Sequence, residues 1–502
     1  MSDARRGDVR SDVKRGGVRA RPASAGPTAS AAESIAKISP ARVAAFEILK
    51  LVGEGKGHSD ELLHSERIDA LSLEDRNLTM ALVMGVLRWQ IALDARISKL
   101  LARPDQRLAE SVALALRMGA FQLLHMDRIP AHAALNESVE LCRAAGQPHA
   151  AGMVNAILRK LAAAQKPGQR IFESTAAFAE RLGHPLWLVE RWVAAYGREA
   201  ALAICEYGQR EPVSGGLFVA NDAAEPLADT PVAPSITTQA ASSIRDAAPQ
   251  MDDGSRLVAE LAAAALPVVA GRAARVWDCC AAPGGKTLML ALRLNPPLED
   301  SSLEAEAENA LGAEILATDA SAKRMALMAL RMRRFAYAER IQCAVADASS
   351  TDAVLKTRPE LSVAESFDLI LCDVPCSGTG TLARNPEIRH RLRAEELARQ
   401  AERQSAILRG ALRRLAPGGR LVYSTCSLEP EENERVLEAV ANEVGLRRIP
   451  IEPLIARIAE AGVLKSEIAA GLIESAVRDG ALRTLSGVHG CDGFFAVVLE
   501  RE

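Results

Sequence analysis

The sequence predicts a multidomain chain: an all-α bundle, then a small connecting domain, then an α/β domain with a largely parallel sheet. Three observations predict it. At 502 residues the chain is too long for one hydrophobic core and suits roughly three domains. Residues 36–165 carry successive amphipathic helical patterns with almost no β-branched alternation. From Gly254 onward, short apolar runs alternate with helical segments, the order that builds parallel βαβ units.

Composition narrows the class. A hydrophobic fraction of 49% with 25% charged residues is that of a soluble globular protein, and 3% aromatic residues leave the packing to aliphatic side chains. No run approaches the roughly 18 uninterrupted apolar residues of a membrane span, and no apolar core follows the basic N-terminus. A cytoplasmic protein without a membrane segment is expected. Nine cysteines, an odd number with no CxxC pair, predict reduced thiols and no metal site. A net charge of −3 does not advertise a nucleic-acid partner, so such affinity has to come from local patches. Two are visible: seven Lys/Arg against three acids in residues 1–22, and the cluster Arg384, Arg389, Arg391 and Arg393. The first, within a basic tail over residues 1–35, reads either as a solvated leader or as auxiliary attraction for RNA.

The elements follow in order. In the bundle, residues 36–166, PARVAAFEILKLV is a helix from Pro40 to Val52, and later apolar faces are punctuated by Pro130 and Gly152. In the connecting domain, residues 167–250, HPLWLVERWVAAYG is a helix whose Trp187 and Trp192 read as core rather than base-stacking platforms, because their helical neighbours are apolar. A turn and strand at GGLFVAN and a loose insert over 222–250 complete it. In the last domain, residues 251–502, the strands are RVWDCC, EILATD, IQCAVAD, FDLILCD and GRLVYSTC, with helices between them. An acidic stretch from Asn295 to Gly312, with two consecutive prolines, reads as a surface insertion.

In WDCCAAPGGKT a strand ends at Asp278 and a turn of Cys280, Ala281, Ala282, Pro283, Gly284, Gly285 and Lys286 enters a helix. Open α/β sheets bind nucleotides at that place, and the turn's free amides suit an anionic group. The next strand ends at Asp319, placed to accept from ribose hydroxyls, and the following one leads to Asp347, placed for an adenine amino group. Three strand-end acids suit a methyltransferase or a dehydrogenase. The sequence has no GxGxxG and no P-loop, and Asp278 and Asp319 are farther apart than a dehydrogenase fingerprint allows, which weakens the second reading.

Two cysteines follow apolar strands in turns rich in Pro, Ser and Thr: Cys376 after Asp373, and Cys426. Cys142, Cys205, Cys279, Cys343, Cys372 and Cys491 read as buried hydrophobes, with Cys280 intermediate.

The segments DCCAAPGGKT, DVPCSGTGTLARNPEIR, YSTCSLEPEENE and DGFF, in that order, resemble the RNA 5-methylcytosine methyltransferases. Upstream, Ala44 to Leu51, Gly85 to Trp89, RIPAHAALNESVEL and MVNAILRKL resemble the NusB-like N-terminal domain of the bacterial RsmB/Sun type. Together the resemblance covers nearly all of residues 36–502. It implies a NusB-like bundle that binds or positions RNA, although a scaffold or dimerisation bundle has the same composition. It also implies a Rossmann-like domain using S-adenosylmethionine as cofactor, and small-subunit ribosomal RNA as substrate of a monomer. By the same resemblance Cys426 attacks carbon 6 of a cytosine, Asp373 binds or protonates ring nitrogen 3, and Cys376 assists release after methylation at carbon 5. Lys286 favours the thiolate, or contacts the base or the cofactor carboxylate. Arg384, Asn385 and Pro386 resemble a substrate-facing loop in which Arg384 and Arg389 hold phosphates. The target base has to be unpaired or extruded. The same chemistry on transfer RNA, and a non-catalytic RNA-binding assembly factor, are the alternatives.

Overall fold

The computed structural model describes residues 34–104, 106–164, 173–212, 215–219, 248–295, 312–350, 366–440 and 445–502. The basic stretch to residue 33, most of the 222–250 insert and the interior of the acidic insertion lie outside the described residues.

The bundle opens with α1 (Pro40–Gly53), whose proline occupies the first turn, where its missing N–H costs nothing. Ala41, Ala44, Ala45, Ile48, Leu49 and Val52 are buried at helical spacing and set one face of the core. Helix α2 (Leu73–Ser98) is capped by Ser72, which accepts from the Asp75 amide at 3.1 Å. Helix α3 (Glu110–His125) and α4 (Ala131–Ala144) are separated at Pro130, and α5 (Ala151–Ala163) closes the bundle. By length and composition α2 is apolar enough to cross a bilayer, but here Leu82, Val83, Val86, Leu87, Leu93 and Ile97 sit in the bundle core.

Three shorter helices follow: α6 (Thr175–Arg181), α7 (Leu186–Tyr196) and α8 (Arg198–Tyr207). Their core contains Phe178, Leu188 and Trp192, and is completed by Leu382 and Leu428 from the α/β domain. Trp192 is buried and donates to Glu429 Oε1 at 3.1 Å, so it is a core residue as the helical pattern requires. The expected strand at GGLFVAN is instead a single bridge from Phe218 to Leu464. The amides of Gly215, Gly216 and Leu217 donate to the Asp253 carboxylate at 2.8, 2.8 and 3.1 Å. A carboxylate that gathers three successive amides leaves them none for a neighbouring strand.

The α/β domain starts with α9 (Asp253–Ala264), β1 (Ala274–Asp278), α10 (Gly285–Leu294) and β2 (Ala313–Asp319). It continues through α11 (Ala322–Met332), β3 (Ile341–Val345), β4 (Phe367–Asp373), α12 (Ala394–Leu412) and β5 (Leu415–Thr425). The last part is α13 (Glu434–Val440), β6 (Leu446–Ile449), α14 (Glu452–Glu460), α15 (Ser466–Ser475), β7 (Val477–Arg478), β8 (Ala481–Arg483) and β9 (Phe495–Arg501). The sheet runs β3-β2-β1-β4-β5-β9-β8-β7, with β6 also paired to β9. It is parallel from β3 to β5, as expected, but mixed overall, because β9 runs antiparallel to β5, β6 and β8. Side chains alternate between two buried faces: Val276, Leu371 and Val422 point to one core, Trp277, Ile370 and Tyr423 to the other. The strand order reverses at β1, which has β2 on one side and β4 on the other, and a crevice forms there above the strand ends.

Candidate active site

A cavity of about 850 Å³ lies at that crevice. Asp278, Cys280, Ala281, Ala282, Pro283, Gly285 and Lys286 line its floor, while Asn77, Met80 and Met84 of α2 form the facing wall. The turn into α10 depends on Gly284, which has φ +98° and would place a Cβ 2.9 Å from the Met328 side chain. Asp278 is buried, and its Oδ2 accepts from Thr287 Oγ1 at 2.6 Å. Its Oδ1 has no partner among the described residues. Burial pushes this carboxyl up to about 7, against the lowering effect of the Thr287 bond. An unpartnered buried acceptor beside open helix-end amides matches a ligand with both N–H or O–H donors and a carboxylate, as S-adenosylmethionine has.

The two other strand-end acids do not line the cavity. Asp319 is buried, accepting from the Ser321 amide at 2.9 Å and pairing with Arg324 at 3.1 Å. Arg324 also donates to the Ala282 carbonyl oxygen, so its guanidinium bridges Asp319 to the cofactor turn. Asp347 is exposed and accepts from Ser349 through its amide at 2.9 Å and its hydroxyl at 2.7 Å.

The thiols meet because their strands are neighbours. Asp373 and Ser424 are in register at the ends of β4 and β5, so the loops leaving those strands rise side by side. Cys376 Sγ and Cys426 Sγ are 3.3 Å apart. The Cys426 thiol, burial and the charge of Glu432 together hold the Cys376 thiol well above the ordinary range. Lys286 Nζ lies 2.8 Å from Asp373 Oδ2, and Ser424 Oγ donates to Asp373 Oδ1 at 2.8 Å. Burial opposes the Lys286 charge, but Asp373, with Asp252 and Cys426, outweighs it and raises the ammonium above its usual value. Lys286 is therefore a floor residue rather than a surface cap, and its Nζ also lies 5.2 Å from the centre of the Phe494 ring. The remaining thiols follow their expectation: Cys142, Cys205, Cys279, Cys372 and Cys491 are buried. Cys343 is half-buried, against that expectation, and Cys280 is half-buried at the cavity.

The arginine cluster is not a solvated phosphate patch. Arg389 is 2% exposed and donates to the carbonyl oxygens of Arg88, Gly183, Gly208 and Leu382. Its guanidinium is consumed in joining α2, the connecting helices and the loop after Cys376, so the expected phosphate contact is corrected to an internal staple. Arg391 donates to Val52 and Gly57 carbonyls, and Arg393 bonds to the carbonyls of His390 and Leu392 beside α12. Arg384 and Asn385 do line the cavity; Arg384 Nε donates to Asp492 Oδ2 at 2.9 Å and Asn385 Nδ2 to Thr381 Oγ1 at 3.0 Å.

Other residues that build the site were not singled out from sequence. Gly380 donates to the Cys426 carbonyl at 2.9 Å, and a Cβ there would stand 2.0 Å from the Gly493 carbonyl oxygen. The Cys376 loop thus rests directly on the backbone of CDGFF. Asn433 accepts from Thr425 Oγ1 at 2.6 Å and donates to the Ser427 carbonyl at 2.9 Å. The strings DVPCSGTG, DGFF and EPEENE, which contain Gly380, Gly493 and Asn433, carried the signal for these roles.

Comparison with known proteins agrees with this architecture. The family model described as 16S rRNA methyltransferase RsmB/F matches residues 270–500, and that of the NusB family matches residues 39–163. Ribosomal RNA small subunit methyltransferase B of Xanthomonas campestris is 32% identical over 93% of this chain and 99% of its own length. A probable ribosomal RNA small subunit methyltransferase B of Bacillus subtilis is 30% identical over 91% and 98%. The crystal structure of PH0851, 21% identical, shares the fold with a TM-score of 0.63 over 92% of this chain and 99% of that one.

Proposed function

We propose a reaction for a chain that belongs to the 16S rRNA methyltransferase RsmB/F family: methylation of carbon 5 of a cytosine in small-subunit ribosomal RNA through a covalent adduct to Cys426. The observation that carries it is the 3.3 Å thiol pair beside the Lys286–Asp373 pair, all at the mouth of one crevice.

Carbon 5 of cytosine is a poor nucleophile, so it has to be activated by addition at carbon 6. The Cys426 sulfur forms that bond, with the Lys286 ammonium as the positive charge of the same site. The displaced ring electrons move toward carbon 5, and Asp373, fixed by Lys286 and Ser424, faces the ring nitrogen where charge changes. When bound, S-adenosylmethionine supplies the methyl group as an electrophilic carbon on a sulfonium. Transfer of the carbon 5 proton to solvent water then leaves its bonding electrons to form the carbon 5–carbon 6 double bond, and the Cys426 sulfur departs from carbon 6 with the electrons of its own bond. Cys376, in contact with that sulfur and held as a neutral thiol, is placed to serve this release. Asp278 and the α10 amides hold the cofactor, while Arg384 and Asn385 meet the RNA from the same cavity. Its α2 wall gives the NusB-like bundle a direct part in receiving the substrate. The test is transfer of labelled methyl to small-subunit RNA followed by nucleoside analysis; label anywhere but 5-methylcytidine defeats the reading.

A further inference from the structure

Behind the two thiols lies a carboxylate that the reaction itself does not touch. Glu432 is 0% exposed, and among the described residues no cation pairs with it. Burying an unpaired carboxylate is costly unless donors surround it. Four do. Oε1 accepts from the Ser377 amide at 2.8 Å and from Gln404 Nε2 at 3.0 Å; Oε2 accepts from the Ser377 hydroxyl and from the Ser427 hydroxyl at 2.5 Å.

Ser377 directly follows Cys376, and Ser427 directly follows Cys426. One carboxylate therefore grips the residue after each thiol. Gln404 of α12 extends the grip by donating also to the Pro375 carbonyl at 3.0 Å, one residue before Cys376. Glu432 is itself fixed to β5, because Tyr423 donates its hydroxyl to the Glu432 carbonyl at 2.6 Å. A neutral residue would fill this space without the desolvation cost. What only a carboxylate offers is two acceptor atoms that reach both loops together.

We propose that Glu432 is a positioning residue that binds the two cysteine loops into one unit, holding Cys376 against Cys426 for the release step. The proposal rests on the covalent reading given above. The grip falls more heavily on the Cys376 loop, held through the Ser377 amide, the Ser377 hydroxyl and the Pro375 carbonyl, than on the Cys426 loop, held through the Ser427 hydroxyl. Loosening the grip should spare attack and methyl transfer but slow release, since a displacement of about an ångström costs on the order of a hundredfold in rate.

The experiment compares the full chain with Glu432→Gln and Ser377→Ala, each checked for folding by thermal melting. The readouts are methyl turnover and the RNA–protein adduct that survives denaturing electrophoresis, after incubation with S-adenosylmethionine and small-subunit RNA. The expected result is a methylated adduct that accumulates while turnover falls about a hundredfold, with no further accumulation when Cys376→Ala is added. A general structural defect would lower adduct and turnover together; that pattern in either folded variant, or wild-type turnover in both, overturns the proposal. Cys376→Ala alone is the control: without an adduct there, the covalent reading itself fails and takes the proposal with it.

Discussion

Lys286, the second residue of α10, and Asp373, the last residue of β4, meet at 2.8 Å across the mouth of the crevice. Burial opposes the Lys286 charge, and the Asp373 carboxylate is what chiefly holds it.

Lys286→Met should therefore cost both stability and chemistry. Among the described residues Asp373 then keeps the Ser424 hydroxyl, at 2.8 Å, as its donor, and loss of the preorganised cation should slow methyl transfer on the order of a hundredfold. Single-turnover methylation beside a melting curve checks this. Transfer at the wild-type rate would remove Lys286 from the mechanism.

The thiols should separate by phenotype. Cys426→Ser is expected to abolish transfer without leaving an adduct, whereas Cys376→Ala should trap RNA on the protein, because attack proceeds and release does not. Denaturing electrophoresis with labelled RNA reads both. Reversed phenotypes would exchange the roles.

Asp278 gives a pH signature. Its carboxyl is raised from 3.8 to about 7 in the folded protein, so folding favours the protonated form. The sign follows: this contribution is fully present below the unfolded value and is lost as pH rises through about 7. Asp278→Asn should match the wild type near pH 4 and exceed it at pH 8 by up to about 4 kcal/mol, while weakening S-adenosylmethionine binding. Urea denaturation at the two pH values and calorimetry with the cofactor test it. Equal stability differences at both pH values would refute the assignment.

Arg389 should behave as a staple. Arg389→Met leaves buried carbonyls without a donor and should destabilise the fold by about 3 kcal/mol or more, with the salt dependence of RNA binding unchanged. Arg384→Ala should instead reduce that salt slope by about 1. A lowered slope for Arg389→Met in a stably folded protein would restore it as a phosphate contact.

How much was legible in the sequence depended on whether a residue's neighbours were local. The strands of the parallel half show as apolar runs ending in Asp278, Asp319 and Asp373, and the turn at Gly284 and Gly285 follows from chain geometry. In the antiparallel half β6, β7 and β8 have four, two and three residues, too few for a period, and the seven residues of β9 were long enough to read but were not singled out. Arg389 was misread for another reason: a guanidinium in an arginine-rich loop looks solvated until its four carbonyl partners, three of them far away in sequence, are known. Glu432 lies in the EPEENE string, which carried a family resemblance but assigned this residue no role, and only the fold shows it buried against Ser377 and Ser427. The thiol pair was anticipated, yet sequence separation of fifty residues gave no distance.

Strand β9 lies between β5 and β8, and the residue two places before it, Gly493, supports the Cys376 loop through Gly380. During translation both cysteines emerge well before that support exists. A nascent chain carrying every catalytic group would still hold them in an unfinished arrangement, so methylating competence should appear late, once residues through Arg501 have left the ribosome.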